Sequence, residues 1–223
     1  MFKPRLDILP QPQHALWADL KETPRGFVLY GGTALALRLG HRKSEDFDFF
    51  CNEGFETGTL LGGVKYLRNA RVDQRGDNTL TVVLDRAGPV KLSFFGDVQM
   101  NHVQEPDVAM ENGVQVASLM DLVGTKLKTI QQRAEAKDYL DISAVLNAGI
   151  TLSEALAAGI AVYGKTFNSM AALKALTYFE DGNLASLPLS VTEQLRAAAV
   201  QVKWERLPEM AGRPGITRED FSG

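Results

Sequence analysis

At 223 residues, the chain has room for one ordinary domain or two small ones built around a shared interface. Apolar residues make up 45% and charged residues 23%, the balance of a globular protein whose core needs no disulfide staples. A formal charge of −3 excludes the broad positive field of a general nucleic-acid binder, and the lone Cys51 cannot form an internal disulfide.

No charged start followed by an apolar run marks a leader, and the weakly polar run 155–163 is far too short to span a bilayer. A reducing cytoplasm and no membrane partner are expected. The first ten residues, with Pro4, Pro10 and Pro12 close by, look like a lead-in, and His14 to Leu20 suits a short helix stopped before Pro24. Phe27 to Tyr30 reads as a short buried strand that ends at Gly31 and Gly32. Thr33 to Leu39 is then a helix of two turns closed by Gly40. Ser44 to Phe50 is a second strand whose period of two puts Ser44, Asp46 and Asp48 on one face, Phe47 and Phe49 on the other. Leu60 to Leu67 suits a helix, and Leu80 to Leu84 and Val90 to Phe95 are strands joined by a turn through Gly88 and Pro89. From Ala117 the pattern turns helical, with segments at 118–134, 137–147, 152–161, 167–179 and 191–204. The tail after Pro208 reads as irregular.

Gly31 and Gly32 carry no Cβ, so the backbone there can turn sharply and approach a ligand closely. The following helix directs its unpaired amides and positive dipole end at that turn, and Thr33 adds a hydroxyl donor or an N-cap. The chain has neither a GxxxxGKS/T nor a GxGxxG run, so by itself the Gly-Gly corner is simply a turn. Asp46 and Asp48 change that reading. Two acids on one strand face lie about 6–7 Å apart at Cα and repel unless something positive sits between them. Octahedral Mg²⁺, held by one or two carboxylates plus substrate phosphates, would relieve the repulsion. The plain alternative is an edge strand whose acids face water or pair with Arg42 and Lys43.

In the segment 118–133, Leu119, Leu122, Val123, Leu127 and Ile130 form one apolar stripe, with Lys126 in its middle and Arg133 further along it. A lysine centred on a core face needs an anion or must snorkel. A salt bridge inside the protein and contact with nucleotide phosphate both answer that need. Asp138, an N-cap candidate, and Asp141 share a face three residues apart and can orient Lys126 or Arg133, complete a metal shell, or form a structural pair. The histidines and the cysteine match no zinc spacing.

These residues resemble a known family. Gly31-Gly32-Thr33 followed by Arg42-x-Ser44-x-Asp46-x-Asp48-Phe49-Phe50 looks like the signature of the AbiEii/AbiGii-type toxin nucleotidyltransferases, within the DNA polymerase beta-like nucleotidyltransferase superfamily. Asp121-Leu122-x-x-x-Lys126-Leu127, then Arg133 and Lys137-Asp138-x-x-Asp141, is similar to that family's second signature. The resemblance implies Mg²⁺-dependent transfer of a nucleoside monophosphate from an NTP, with Mn²⁺ as the alternative ion and pyrophosphate as the by-product. Asp46 and Asp48 would be the metal ligands. Gly31, Gly32 and Thr33, with Arg42, Ser44 and Arg133, would hold the triphosphate, and Lys126 with Asp138 or Asp141 would complete the site. Such proteins are toxins of bacterial toxin–antitoxin or phage-defence pairs with a cognate antitoxin, and tRNA is a substrate of some. One departure is visible: superfamily enzymes usually carry a third acid on a later strand, where this chain offers Ser93, flanked by Asp85 and Asp97 in turns.

The expected fold is α+β, a nucleotidyltransferase core of mixed sheet and flanking helices over residues 1–110, then a helical domain over 111–223 that completes the active-site cleft. The expected function is nucleotidyl transfer to RNA such as tRNA, or to protein. A non-catalytic nucleotide- or partner-binding relative and a metal-dependent phosphohydrolase are the competing readings.

Overall fold

The computed structural model describes residues 1–215. They form two compact units, one of residues 1–100, 105–117 and 214–215, the other of 101–104 and 118–213. Among the described residues no single helix is long and apolar enough to cross a membrane.

The first unit holds a seven-stranded mixed sheet and three α-helices. In chain order these are α1 (Gln11–Trp17), β1 (Val28–Tyr30), α2 (Gly31–Leu39), β2 (Phe47–Phe50), α3 (Thr57–Gly63), β3 (Arg71–Gly76), β4 (Thr79–Asp85), β5 (Pro89–Phe95), β6 (Asp107–Val108) and β7 (Gln115–Val116). The strand order is β3-β4-β5-β2-β1-β7-β6. The β2 strand is antiparallel to β1 and parallel to β5, so the expected acidic strand lies near the centre of the sheet. One sheet face is core: Phe47, Phe49, Leu80, Val82, Leu92 and Phe94 are fully buried. Phe49 and Phe94, paired in register, stack at 5.3 Å, and Trp17 of α1 stacks over Phe47 at 6.4 Å.

Several expectations move. The second strand begins at Phe47 rather than Ser44, because Ser44 is tied instead to the hydroxyl of Thr33. The sheet runs on to Val116 through two-residue strands too short to leave a periodic signal. The basic stretch around Arg71 and Arg75 is an exposed edge strand, closed onto β4 by the two-residue turn Asp77-Asn78 with Asn78 at φ +53°. Its charges and its bulge after Val72 suit an edge that must not recruit other strands. At the opposite edge Phe2 bridges Ala109, and Arg38 donates to the carbonyls of Val116 and Ala117, pairs with Asp107 and lies over the Phe2 ring. Arg38 is thus a clamp on β7.

The second unit contains α4 (Leu119–Thr129), α5 (Ala136–Asn147), α6 (Leu152–Tyr163), α7 (Ser169–Thr177) and α8 (Leu189–Val200). Ser118 caps α4, Asn168 caps α7, and Thr151 with Glu154 forms a reciprocal capping box at α6. A Cβ on Gly124 would stand 3.0 Å from the backbone nitrogen of Gly159, so glycine at 124 lets α4 pack against the backbone of α6, while glycine at 159 leaves room for the Phe167 ring. The α4 helix stops at Thr129, which places Arg133 in the following turn rather than on the helical stripe.

Candidate active site

The sequence-predicted residues fall into two groups. Gly31, Gly32, Thr33, Arg42, Ser44, Asp46 and Asp48 lie in the first unit, and Lys126, Arg133, Asp138 and Asp141 lie in the second.

In the first group, β1 leads straight into α2 through Gly31, whose φ of +74° is the left-handed region that favours glycine. A Cβ there would come within 2.8 Å of Asp48 Oδ2, so the Asp48 carboxylate lies directly over the start of α2. The register agrees: Asp48 pairs with Tyr30, the residue before Gly31. Glycine is required at 31 by conformation and by space. The first amides of α2, Gly31 to Thr33, have no partner within the helix and face the same corner.

Thr33 and Ser44 brace this corner from beneath. Thr33 Oγ1 donates to Ser44 Oγ at 2.8 Å and approaches the Asp46 carbonyl, and both side chains are buried. These contacts tie the end of the loop between α2 and β2 to the first turn of α2. Arg42, half-buried, donates to the carbonyl of Lys43. Asp46 is exposed and Asp48 half-buried. Among the described residues no three His, Cys, Asp or Glu side chains gather into a ready-made metal cage. The carboxylate oxygens of Asp46 and Asp48 are the donor type that suits an ion such as Mg²⁺, which takes one or two carboxylates and fills the remaining positions from phosphate and water.

The second group is a closed charge network. Lys126 Nζ lies 2.7 Å from Asp138 Oδ1 and 2.7 Å from Asp141 Oδ2, and Arg133 Nε donates to Asp138 Oδ2 at 2.9 Å. Both carboxylates are wholly buried, the lysine is 7% exposed, and Arg133 keeps 45% of its side chain in solvent. Two acids thus meet two bases with no net charge. Asp138 stands in the first turn of α5 and is not its N-cap, which is Glu135. Lys126 thus makes the internal salt bridge that the sequence offered as one alternative.

Sequence reasoning met Asp121 only as part of the second signature, without a role, and passed over Thr81. Asp121, buried one turn before Lys126 on α4, accepts from the backbone nitrogens of Val103 and Gln104 and from the Ser118 hydroxyl. Burial pushes its carboxyl above the ordinary range, against the lowering by those donors. The spacing Ser118-x-x-Asp121 signalled a cap, but nothing local pointed to Val103. Thr81, buried on β4, bonds to Ser93, a pairing set by strand register alone.

Residues 15–220 match the family model of the nucleotidyl transferase AbiEii toxin of type IV toxin–antitoxin systems. An uncharacterized protein of Aquifex aeolicus is 31% identical over 158 residues, covering 70% of this chain and 74% of its own length. Among solved structures, the nucleotidyltransferase toxin MenT4 of Mycobacterium tuberculosis superposes with a TM-score of 0.59 at 16% identity, over 90% of this chain and 84% of its own. An antigenic nucleotidyltransferase-like protein of Paracoccidioides brasiliensis superposes with a TM-score of 0.51 at 17% identity, over 87% and 94%. At those identities the likeness to the solved structures is one of fold.

Proposed function

This chain belongs to the AbiEii family of nucleotidyl transferase toxins and is a nucleotidyltransferase, and from that premise we propose Mg²⁺-dependent transfer of a nucleoside monophosphate from an NTP to an acceptor hydroxyl. The observation that carries the reading is the Asp48 carboxylate placed over the Gly31 turn, which brings a cation-holding group to the amides that open α2. Asp46 and Asp48 would hold Mg²⁺, which when bound neutralises charge on the phosphate oxygens. The amides of Gly31 and Gly32 hold the triphosphate, and Thr33 with Ser44 keeps them in place. Arg42 adds positive charge on the same loop. The acceptor oxygen attacks the α-phosphorus in line: its O–P bond forms, the bond to the β-phosphate oxygen breaks, and pyrophosphate leaves.

In the helical unit we assign phosphate contact to Arg133, whose guanidinium is part exposed, and a positioning role to Lys126, which fixes Asp138 and Asp141. The acceptor class we favour is RNA such as tRNA. We also propose the toxin role with a separate antitoxin partner, in the cytoplasm, where NTP and Mg²⁺ are supplied together.

The test is incubation with each α-labelled NTP, Mg²⁺ and total tRNA. Label in RNA is the expected result, and label in the protein fraction would replace RNA by protein as the acceptor. Release of free phosphate without labelled acceptor, or no product with any NTP, would overturn the proposal.

A further inference from the structure

We infer that the first unit carries a separate site for one inorganic phosphate ion, in a small cavity at the end of the sheet away from the Gly31 turn. The site makes no use of Asp46 or Asp48, so it stands apart from the transfer reaction proposed above.

The cavity has a volume of about 140 Å³ and opens between the chain that leads into β1 and the chain that leads into β7. These strands are parallel neighbours, with Leu29 paired to Val116, so their entering ends lie side by side. Phe27 in the cavity wall is separated from Gly31 by the whole of β1, about 13 Å of extended chain at 3.3 Å per residue. Lys21 and Arg25 stand exposed at the rim. The acids nearest Lys21 in sequence, Asp19 and Glu22, pair with Arg86 and Lys65. Among the described residues Lys21 has no carboxylate partner, and no carboxylate lines the cavity.

The polar groups of the wall are unequally served. Asn112 donates to the Trp17 carbonyl at 2.7 Å and accepts from the Val114 amide at 3.1 Å, which fixes the loop before β7. The Thr23 hydroxyl shares a hydrogen bond with that of Tyr66. Gln115 is only 9% exposed, yet its carboxamide has no hydrogen-bond partner among the described residues. A buried amide in this state is costly. Its nitrogen and oxygen are not sealed in as Gln13 Oε1 is, and the space they border is the cavity. The occupant must therefore be anionic for Lys21 and Arg25, and must offer the carboxamide both an acceptor and a donor. Phosphate at neutral pH has charged oxygens and an O–H, and meets all three demands. The volume lies below the about 300–1,000 Å³ of pockets for larger ligands, which excludes an NTP.

Titration of inorganic phosphate into the isotope-labelled full chain tests this, read by nuclear magnetic resonance at the Gln115 side-chain NH₂ and the Gly113 backbone amide, both at the cavity. The two signals should move together and saturate, whereas sulfate, which has no O–H, should bind more weakly. The double variant Lys21→Met with Arg25→Met should weaken phosphate at least about tenfold, and Gln115→Leu should weaken it as read at Gly113. Signals unmoved at about 50 mM phosphate, where even a millimolar site is filled, would overturn the inference. So would equal movement with sulfate, or with chloride at matched ionic strength, or undiminished affinity in the double variant. Should Gln115→Leu not fold, the double variant and the sulfate comparison still decide. Phosphate at the amides of Gly31 and Gly32 would move a different set of signals, so the two sites hold or fail separately.

Discussion

The acidic pair at Asp46 and Asp48 and the acidic pair at Asp138 and Asp141 are spaced two and three residues apart, yet the protein treats them in opposite ways. The first pair lies at the start of the central strand β2, Asp46 exposed just before it and Asp48 half-buried beside the Gly31 turn. The second is wholly buried and closed by Lys126 and Arg133. The first pair is within reach of solvent, whereas the second is enclosed with its own cations. Removing a member of each should therefore cost different things.

The largest effect is expected at Lys126. Truncating it to methionine would leave two buried carboxylates without their shared cation, and breaking a buried pair in this way costs about 3–5 kcal/mol. Read as a phosphate-binding lysine, Lys126→Met would lower NTP affinity at little cost in stability; the observed network reverses that order. Urea denaturation measures it, and a loss below about 1 kcal/mol would show that the network contributes little to the fold. Asp48→Asn is the mirror case. Transfer should fall at least about 100-fold, roughly 3 kcal/mol of transition-state stabilisation, while the denaturation midpoint stays near wild type. A large loss of stability in this variant would make the strand pair as structural as the helical one.

Gly31→Ala tests the corner that joins turn and carboxylate. A side chain at φ +74° with its Cβ 2.8 Å from Asp48 Oδ2 should cost about 1–3 kcal/mol of strain. It should also displace the Asp48 carboxylate, so Mn²⁺ affinity should drop together with stability. A variant that loses stability but keeps its affinity would separate the turn from the ion site.

What could be read from the sequence follows the same division. The Gly31 to Phe50 corner was legible because it is local: β1, the turn, α2, the Gly40 cap in left-handed conformation and β2 follow one another within 23 residues. The anomaly at Lys126 was legible too, since a lysine on an apolar stripe demands an anion. Its partner was not, because an internal carboxylate and an external phosphate satisfy that demand equally. The β3 strand escaped because all six residues are exposed and mostly polar, so no alternation marks a buried face. Ser93 shows a further limit. Its place beside Asp48 depends on parallel pairing of strands more than 40 residues apart in sequence, and register of that kind leaves no local trace.

Asp121 is the intermediate case, a buried acid met by dipoles instead of cations, and it carries the smallest prediction. Its carboxyl is held above the ordinary value of 3.8 because burial outweighs the hydrogen bonds from Ser118, Val103 and Gln104. The folded protein therefore keeps this proton more tightly than the unfolded chain. The stability that follows is fully present below pH 3.8 and is lost as pH rises through the raised folded value. Asn at 121 matches the shape and does not titrate. The wild-type Tm minus that of Asp121→Asn should thus shrink as pH rises through that window and then level off. A difference that stays constant, or that grows with pH, would mean that the three donors outweigh burial. Asp121 would then be a fully compensated anion, grouped with Asp138 and Asp141.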